Sequence, residues 1–262
     1  MKKRIDIAGR NIFYGIYGKG KPVMLVHGFG ETSEVWSRQV EHLGNKFLLI
    51  VPDLPGSGQS DLIDDMSVEG MAAILKAILH NESISNCVMV GHSMGGYITL
   101  AFVEKYQSYL SAFGLFHSTS FPDTEEKIAT RRKGIEFISE HGAFEFLKNT
   151  TPNLFSAITK TDTPEMVSRF VNSLEDFSAA ALVAYYEAMI RRPDRTQILK
   201  GSTIPVLFIM GKYDSAVPLE DGLKQCYWPQ QASINILHRS GHLGMLEEKQ
   251  KANEILEQFL TS

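Results

Sequence analysis

The hexapeptide Gly91-His92-Ser93-Met94-Gly95-Gly96 sets a serine among small residues where a strand-like run, Cys87 to Val90, gives way to a helical stretch, Tyr97 to Tyr106. A strand that reverses abruptly into a helix forces the central residue of G-x-S-x-G into a strained turn, and its neighbours must be small. Such a turn holds the Ser93 hydroxyl at the carboxyl edge of a sheet and at a helix N-terminus, whose dipole favours negative charge. The chemistry to expect of it is acyl transfer.

A serine hydroxyl is a poor nucleophile until a base takes its proton, and the chain has eight histidines to choose from. Behind this kind of turn the partners follow in the order acid, then histidine, each after a later strand. Asp214, in Gly211-Lys212-Tyr213-Asp214, follows the apolar run 204–210; His242, in Gly241-His242-Leu243-Gly244, follows the run 233–238. Both fall at the carboxyl ends of strands, where open α/β sheets place their sites. Ser93, Asp214 and His242 are therefore the candidate catalytic set. The developing oxyanion needs donors, and the backbone N–H groups of Phe29, in the turn after Val23–Val26, and of Met94 are the candidates. His27 in the same turn is expected to hydrogen-bond the backbone.

No metal or cofactor is expected. His238 and His242 stand four apart, but Ser240 and Gly241 break any helix between them and no third ligand is in view. Gly28-x-Gly30 and Gly56-x-Gly58 lack the third glycine and downstream acid of a dinucleotide site.

The elements that must position these groups are visible as short apolar runs at 22–27, 46–51, 86–91, 112–117, 204–210 and 233–238, mostly separated by helical periodicity. Runs bounded by Gly, Pro and Asp in this alternation predict a mostly parallel, doubly wound sheet. The alternating first twenty residues, turning at Gly18 to Lys21, predict two antiparallel edge strands. Ser67 is placed to cap a helix carrying Val68, Met71, Leu75, Ile78 and Leu79, and Glu247–Leu260 repeats the amphipathic pattern at the other end. From Phe121 to Thr196 no strand pattern appears. Thr163-Pro164-Glu165 reads as a capped helix start and Ser178 as another. The expected organisation is a core of residues 1–120 and 197–262 with a helical cap, 121–196, inserted before the last two strands.

Composition narrows the partners. The 262 residues carry 26 basic and 30 acidic side chains, a net charge of −4, with no basic tract; nucleic acid and anionic membrane surfaces are not expected partners. The longest apolar runs reach five to seven residues, far short of the roughly 18 needed to cross a membrane. Met1 to Arg4 is basic but no apolar segment of signal-peptide length follows, so a cytoplasmic location is expected. Cys87 and Cys226 read as packing residues.

Taken in order, His27-Gly28-Phe29-Gly30, Asp53-Leu54-Pro55-Gly56-Ser57-Gly58-Gln59-Ser60, the Ser93 turn, the Asp214 loop and Gly241-His242 resemble the α/β-hydrolase family over almost the whole chain. The resemblance implies an α/β-hydrolase fold, a structural role for the Asp53–Ser60 turn, and an enzyme. Ser93 sets it apart from the epoxide hydrolase and dehalogenase branches, which place aspartate there. An acid after the earlier strand occurs as a family variant, with Asp123 the nearest candidate.

In the family the cap decides the substrate. Its many aromatic residues imply a largely apolar pocket, with His117, Phe121, Phe144 and Tyr185 as candidate substrate contacts. Arg131, Arg132 and Lys133 read first as a solvated face, the sharper alternative being a clamp for a substrate carboxylate. The reading reached is a serine hydrolase of a small or medium carboxylic ester. Lactonases, carbon–carbon bond hydrolases and perhydrolases with similar turns are the alternatives within the same chemistry. A ligand-sensing receptor or signalling protein that keeps this fold is the alternative of another class.

Overall fold

The computed structural model describes residues 1–262. Its sheet has eight strands: β1 (Lys2–Ile7), β2 (Arg10–Tyr17), β3 (Pro22–Val26), β4 (Leu48–Pro52), β5 (Cys87–His92), β6 (Leu110–Phe116), β7 (Val206–Gly211) and β8 (Ala232–Leu237). Their spatial order is β1-β2-β4-β3-β5-β6-β7-β8. The alternating N-terminal strands form an antiparallel edge, β1 on β2 and β2 on β4, while every pair from β4 to β8 is parallel.

The parallel strands β3 to β7 are buried on both sides and alternate residues feed opposite layers, whereas the edge strand β8 is half exposed. Met24 and Val26 pack with helices α2 (Val68–Asn81) and α3 (Met94–Tyr106), while Val23 and Leu25 pack with Trp36, with Leu43 of α1 (Ser37–Leu43) and with the C-terminal helix. That period of two is why these strands read as unbroken apolar runs. Ser67 Oγ accepts from Gly70 N at 3.0 Å and so caps α2 as its position predicts.

Between β6 and β7 the chain contains only helices: α4 (Glu125–His141), α5 (Ala143–Thr150), a 3-10 turn (Thr151–Leu154), α6 (Ala157–Asp162), α7 (Pro164–Asn172), α8 (Ala179–Arg191) and the short α9 (Thr196–Lys200). They hold a small apolar cluster of their own around Ile138, Phe146, Leu147, Leu174 and Leu182. One local expectation fails. Thr163 does not cap α7; its hydroxyl donates back to the Thr159 carbonyl at 3.3 Å, closing α6 instead. Ser178 does cap α8, accepting from Ala181 N at 3.3 Å.

After β7 come α10 (Leu219–Gln225), β8, α11 (Gly244–Glu247) and α12 (Lys249–Thr261). The final helix expected over Glu247–Leu260 is α12, which begins two residues later because Glu248, with φ of −124° and ψ of 50°, is not helical and separates it from the short α11. Cys87 and Cys226 are both free and buried. No helix is long and apolar enough to cross a membrane.

Candidate active site

β5 ends at His92 and α3 begins at Met94, leaving Ser93 alone to turn the chain, with φ 50° and ψ −115°. A side-chain-bearing residue holds such angles only when its surroundings fix them, at about 1–3 kcal/mol. Here Ser93 N donates to the Phe116 carbonyl at 2.9 Å, and the Ser93 carbonyl accepts from Gly96 N at 2.9 Å and Ser118 Oγ at 2.7 Å. The small neighbours are a steric requirement. A Cβ on Gly95 would lie 2.5 Å from the carbonyl oxygens of Val26 and His27, and one on Gly91 would overlap the Gly95 carbonyl.

Ser93 and His242 line the same cavity, of about 150 Å³. Asp214 lies behind His242, with His242 Nδ1 2.8 Å from Asp214 Oδ2. Asp214 Oδ1 accepts from Ala216 N and Val217 N, each at 2.9 Å, which fixes the carboxylate on its own loop. Burial opposes ionisation of Asp214, but the charge of His242 and hydrogen bonds from His117 and His242 outweigh it and hold the carboxyl well below its usual range. Burial likewise pushes the His242 imidazole down, and the charge and hydrogen bond of Asp214 more than reverse this, leaving the ring above its ordinary value.

The turn after β3 brings Phe29 to the cavity wall, and Met94 is the first residue of α3, whose opening N–H groups have no partner within the helix. His27 braces this turn as expected: its Nδ1 donates to the Gly28 carbonyl at 2.9 Å and its Nε2 accepts from Leu54 N at 2.9 Å. The Asp53–Ser60 turn is tied in from the other side, with Asp53 Oδ1 accepting from Ser33 N and Ser60 Oγ donating to the Asp53 carbonyl, both at 2.8 Å.

The four residues expected to contact substrate do not line this cavity. His117, itself at φ 50°, points beneath the site, its Nδ1 3.1 Å from Asp214 Oδ2 and its Nε2 accepting from Gly244 N at 3.3 Å. Tyr185 is buried, its hydroxyl donating to the Pro55 carbonyl and meeting Ser57 Oγ, both at 2.7 Å. The adjacent Tyr186 takes the place expected for it, stacked on Phe29 with ring centroids 4.3 Å apart. Phe121 packs edge-on against Trp228, and Phe144 packs with the layer containing Phe155. Asp123, the alternative acid, is held by Arg131 and Arg192, not by a histidine.

Leu154 and Met189 also line the cavity, as apolar residues of the helical segment expected to furnish part of the pocket, whereas Glu31, Tyr97 and the pair Ala216–Val217 were not singled out by type and spacing. Glu31 is the most consequential. Its Oε2 accepts from Gly28 N at 2.7 Å and lies 3.0 Å from His92 Nδ1, while His92 Nε2 donates to the His242 carbonyl at 2.9 Å. Burial opposes its charge, yet His92 and the Gly28 amide keep its carboxyl below the usual range. The signal was an acid in a glycine-rich turn directly after a buried strand. Arg131 also reaches the cavity, whereas Arg132 and Lys133 are exposed, so only the latter two form a solvated face.

The inserted helices are fastened to the histidine loop. His242 N donates to the Leu154 carbonyl at 2.7 Å, and Glu247 accepts from Gly241 N at 2.9 Å, Ser156 N at 2.8 Å and Thr159 Oγ1 at 2.7 Å. Candidate ligand atoms of His117, Asp214 and His242 all lie within 4.8 Å of one another. The donor set does not suit a metal: His117 Nε2 accepts a hydrogen bond, so in the neutral ring Nδ1 carries the proton, and both Asp214 oxygens are taken by N–H groups. His238 is exposed.

The profile of the alpha/beta hydrolase fold family matches residues 21–249. Among solved structures, an esterase from Thermogutta terrifontis, studied with malate bound, superposes with a TM-score of 0.93 at 28% identity, covering 100% of this chain and 98% of that one. A 2-hydroxy-6-oxononadienedioate/2-hydroxy-6-oxononatrienedioate hydrolase from Paraburkholderia phymatum is 28% identical over 95% of this chain and 90% of its own length. A 3-oxoadipate enol-lactonase from Acinetobacter baylyi is 23% identical over 93% of this chain and 91% of its own.

Proposed function

This chain belongs to the alpha/beta hydrolase fold family and is a hydrolase, and we propose that it cleaves a small or medium carboxylic ester through an acyl-enzyme on Ser93. The observation that carries this reading is the meeting, at one cavity, of a serine held in a strained turn and a histidine braced by a buried carboxylate. In the proposed reaction His242 Nε2 takes the Ser93 proton as Oγ attacks the ester carbonyl, while Asp214 fixes the ring by its Nδ1–H and stabilises the imidazolium. The N–H groups of Phe29 and Met94 receive the oxyanion. His242 then returns its proton to the departing alcohol, and a water attacks the acyl-enzyme by the same route.

The cavity volume bears on the acyl group. About 150 Å³ is the size of an engineered cavity that admits benzene, which favours short acyl chains. The same compactness supports a second reading, a small lactone, whose ring needs no separate channel for a leaving alcohol. A panel of 4-nitrophenyl acetate, butyrate and octanoate beside γ- and δ-lactones separates the two by kcat/KM.

The direct test is labelling. A fluorophosphonate should add one mass equivalent to the Ser93 peptide, and Ser93→Ala should lose both the label and at least about a thousandfold in turnover. Wild-type turnover in Ser93→Ala would overturn the assignment. A single slow acylation with no repeated turnover would instead favour a ligand-sensing role.

A further inference from the structure

Arg131 is the only arginine or lysine on the wall of the Ser93 cavity. One edge of its guanidinium is already engaged, Nε donating to Asp123 Oδ2 at 2.5 Å and Nη2 to Oδ1 at 3.2 Å. Asp123 is shared: Arg192 Nη2 donates to Oδ1 at 2.9 Å, and the remaining contacts of Arg192 go to the carbonyls of Met189 and Phe121. Two guanidinium groups therefore stand on one carboxylate whose side chain is fully buried, an excess of one positive charge.

The excess has one outlet. Both guanidinium groups lie over tyrosine rings, Arg192 over Tyr97 at 3.9 Å and Arg131 over Tyr186 at 5.5 Å, but Arg192 is 3% exposed whereas Arg131 is 18% exposed and keeps its Nη1 edge free. We propose that this edge of Arg131 receives a carboxylate carried on the acyl part of the substrate, so that the preferred substrates are half-esters of short dicarboxylic acids. The guanidinium is held in position by Asp123 before substrate arrives, and a charge-assisted pair formed away from bulk water is stronger than a neutral one. Glu31 on the same cavity is already paired with His92 and the Gly28 amide, so the free guanidinium edge of Arg131 is where an acyl carboxylate is directed. The ester bond is then left beside Ser93.

The reaction part of this inference rests on the serine-hydrolase reading; the binding part does not. Hydrolysis of methyl hydrogen glutarate and of its uncharged isostere, methyl 5-methylhexanoate, is followed by proton release in wild type, Arg131→Gln and Arg131→Lys. Wild type should favour the charged ester by about tenfold or more in kcat/KM. Arg131→Gln should abolish that preference, read as the ratio of kcat/KM for the two esters in the same variant, and Arg131→Lys should keep part of it. Equal losses on both esters, or a wild-type preference for the uncharged one, would overturn the proposal.

Calorimetric titration with glutarate separates the two readings. Binding that weakens about tenfold or more in Arg131→Gln, with neither ester turned over, upholds the carboxylate site and removes the esterase reading. Ser93-dependent turnover that ignores Arg131, with glutarate binding unchanged, does the reverse.

Discussion

His117 and His242 point their Nδ1 atoms at the same oxygen of Asp214, at 3.1 and 2.8 Å. The Gly244 amide, donating to His117 Nε2, fixes the neutral tautomer of that ring, and burial pushes its pKa down to about 4. His117 thus acts as a permanent neutral donor under the carboxylate. His117→Ala should lower turnover of a 4-nitrophenyl ester about three- to tenfold with little change in KM, because Asp214 loses one of its four N–H partners. Steady-state kinetics on the variant provide the check, and an altered KM with unchanged kcat would contradict it.

The raised pKa of His242 predicts the acid limb of the rate profile. In the proposed reaction His242 is the base and must be neutral, so kcat/KM should rise with pH through an apparent pKa above 6.5 and then level off. At pH 5.5 the enzyme should retain about a tenth or less of its plateau rate. Stability responds to His117 with its own sign. A folded pKa below the unfolded value means that protons bind the unfolded chain more strongly, so stability falls as pH drops from 6.5 toward about 4. His242 contributes the opposite slope, with its stabilisation fully present below 6.5 and lost as pH rises through its higher folded value. Removing His117 should therefore flatten the acid-side fall in Tm.

At Ser93 the proposed role as nucleophile and the stability of the turn are set against each other. The φ of 50° and ψ of −115° are open to glycine and costly for serine. Ser93→Gly should be inactive yet more stable by about 1 kcal/mol, read from urea unfolding beside Ser93→Ala, which keeps the strain.

Glu31 should matter to both turnover and folding. Glu31→Leu leaves the Gly28 amide and His92 Nδ1 without an acceptor in a buried place, at a cost of about 2–4 kcal/mol. His92 is also the ring that holds the His242 carbonyl, so ester turnover should fall about tenfold in the milder Glu31→Gln. Chemical denaturation and 4-nitrophenyl butyrate kinetics measure the two effects separately.

What was readable in the sequence follows from which constraints are local. The Ser93 turn announces itself because only glycine can stand where Gly95 meets the carbonyls of Val26 and His27. The inner parallel strands announce themselves by burial on both faces. Tyr185 and Tyr186 mark the limit. On a helix, adjacent residues point about 100° apart, and both tyrosines border apolar positions, so only the seating of α8 decides which ring meets Phe29. Arg131 parts from Arg132 and Lys133 for the same reason, its direction being set by Asp123, which lies in the loop before α4. His117 could be placed at the end of its strand, but its partner, Asp214, is 97 residues away.

The bonds from the Leu154 carbonyl and Glu247 to the loop of His242 carry a lesson for recombination. Exchanging the inserted helices between relatives treats them as a replaceable module, yet their middle segment supplies the acceptor for the His242 amide. A graft that brings foreign residues 151–159 without their matching 240–247 would arrive with two halves of one junction unacquainted with each other. The natural unit of exchange in this chain is discontinuous, and its second part lies some ninety residues downstream of the first.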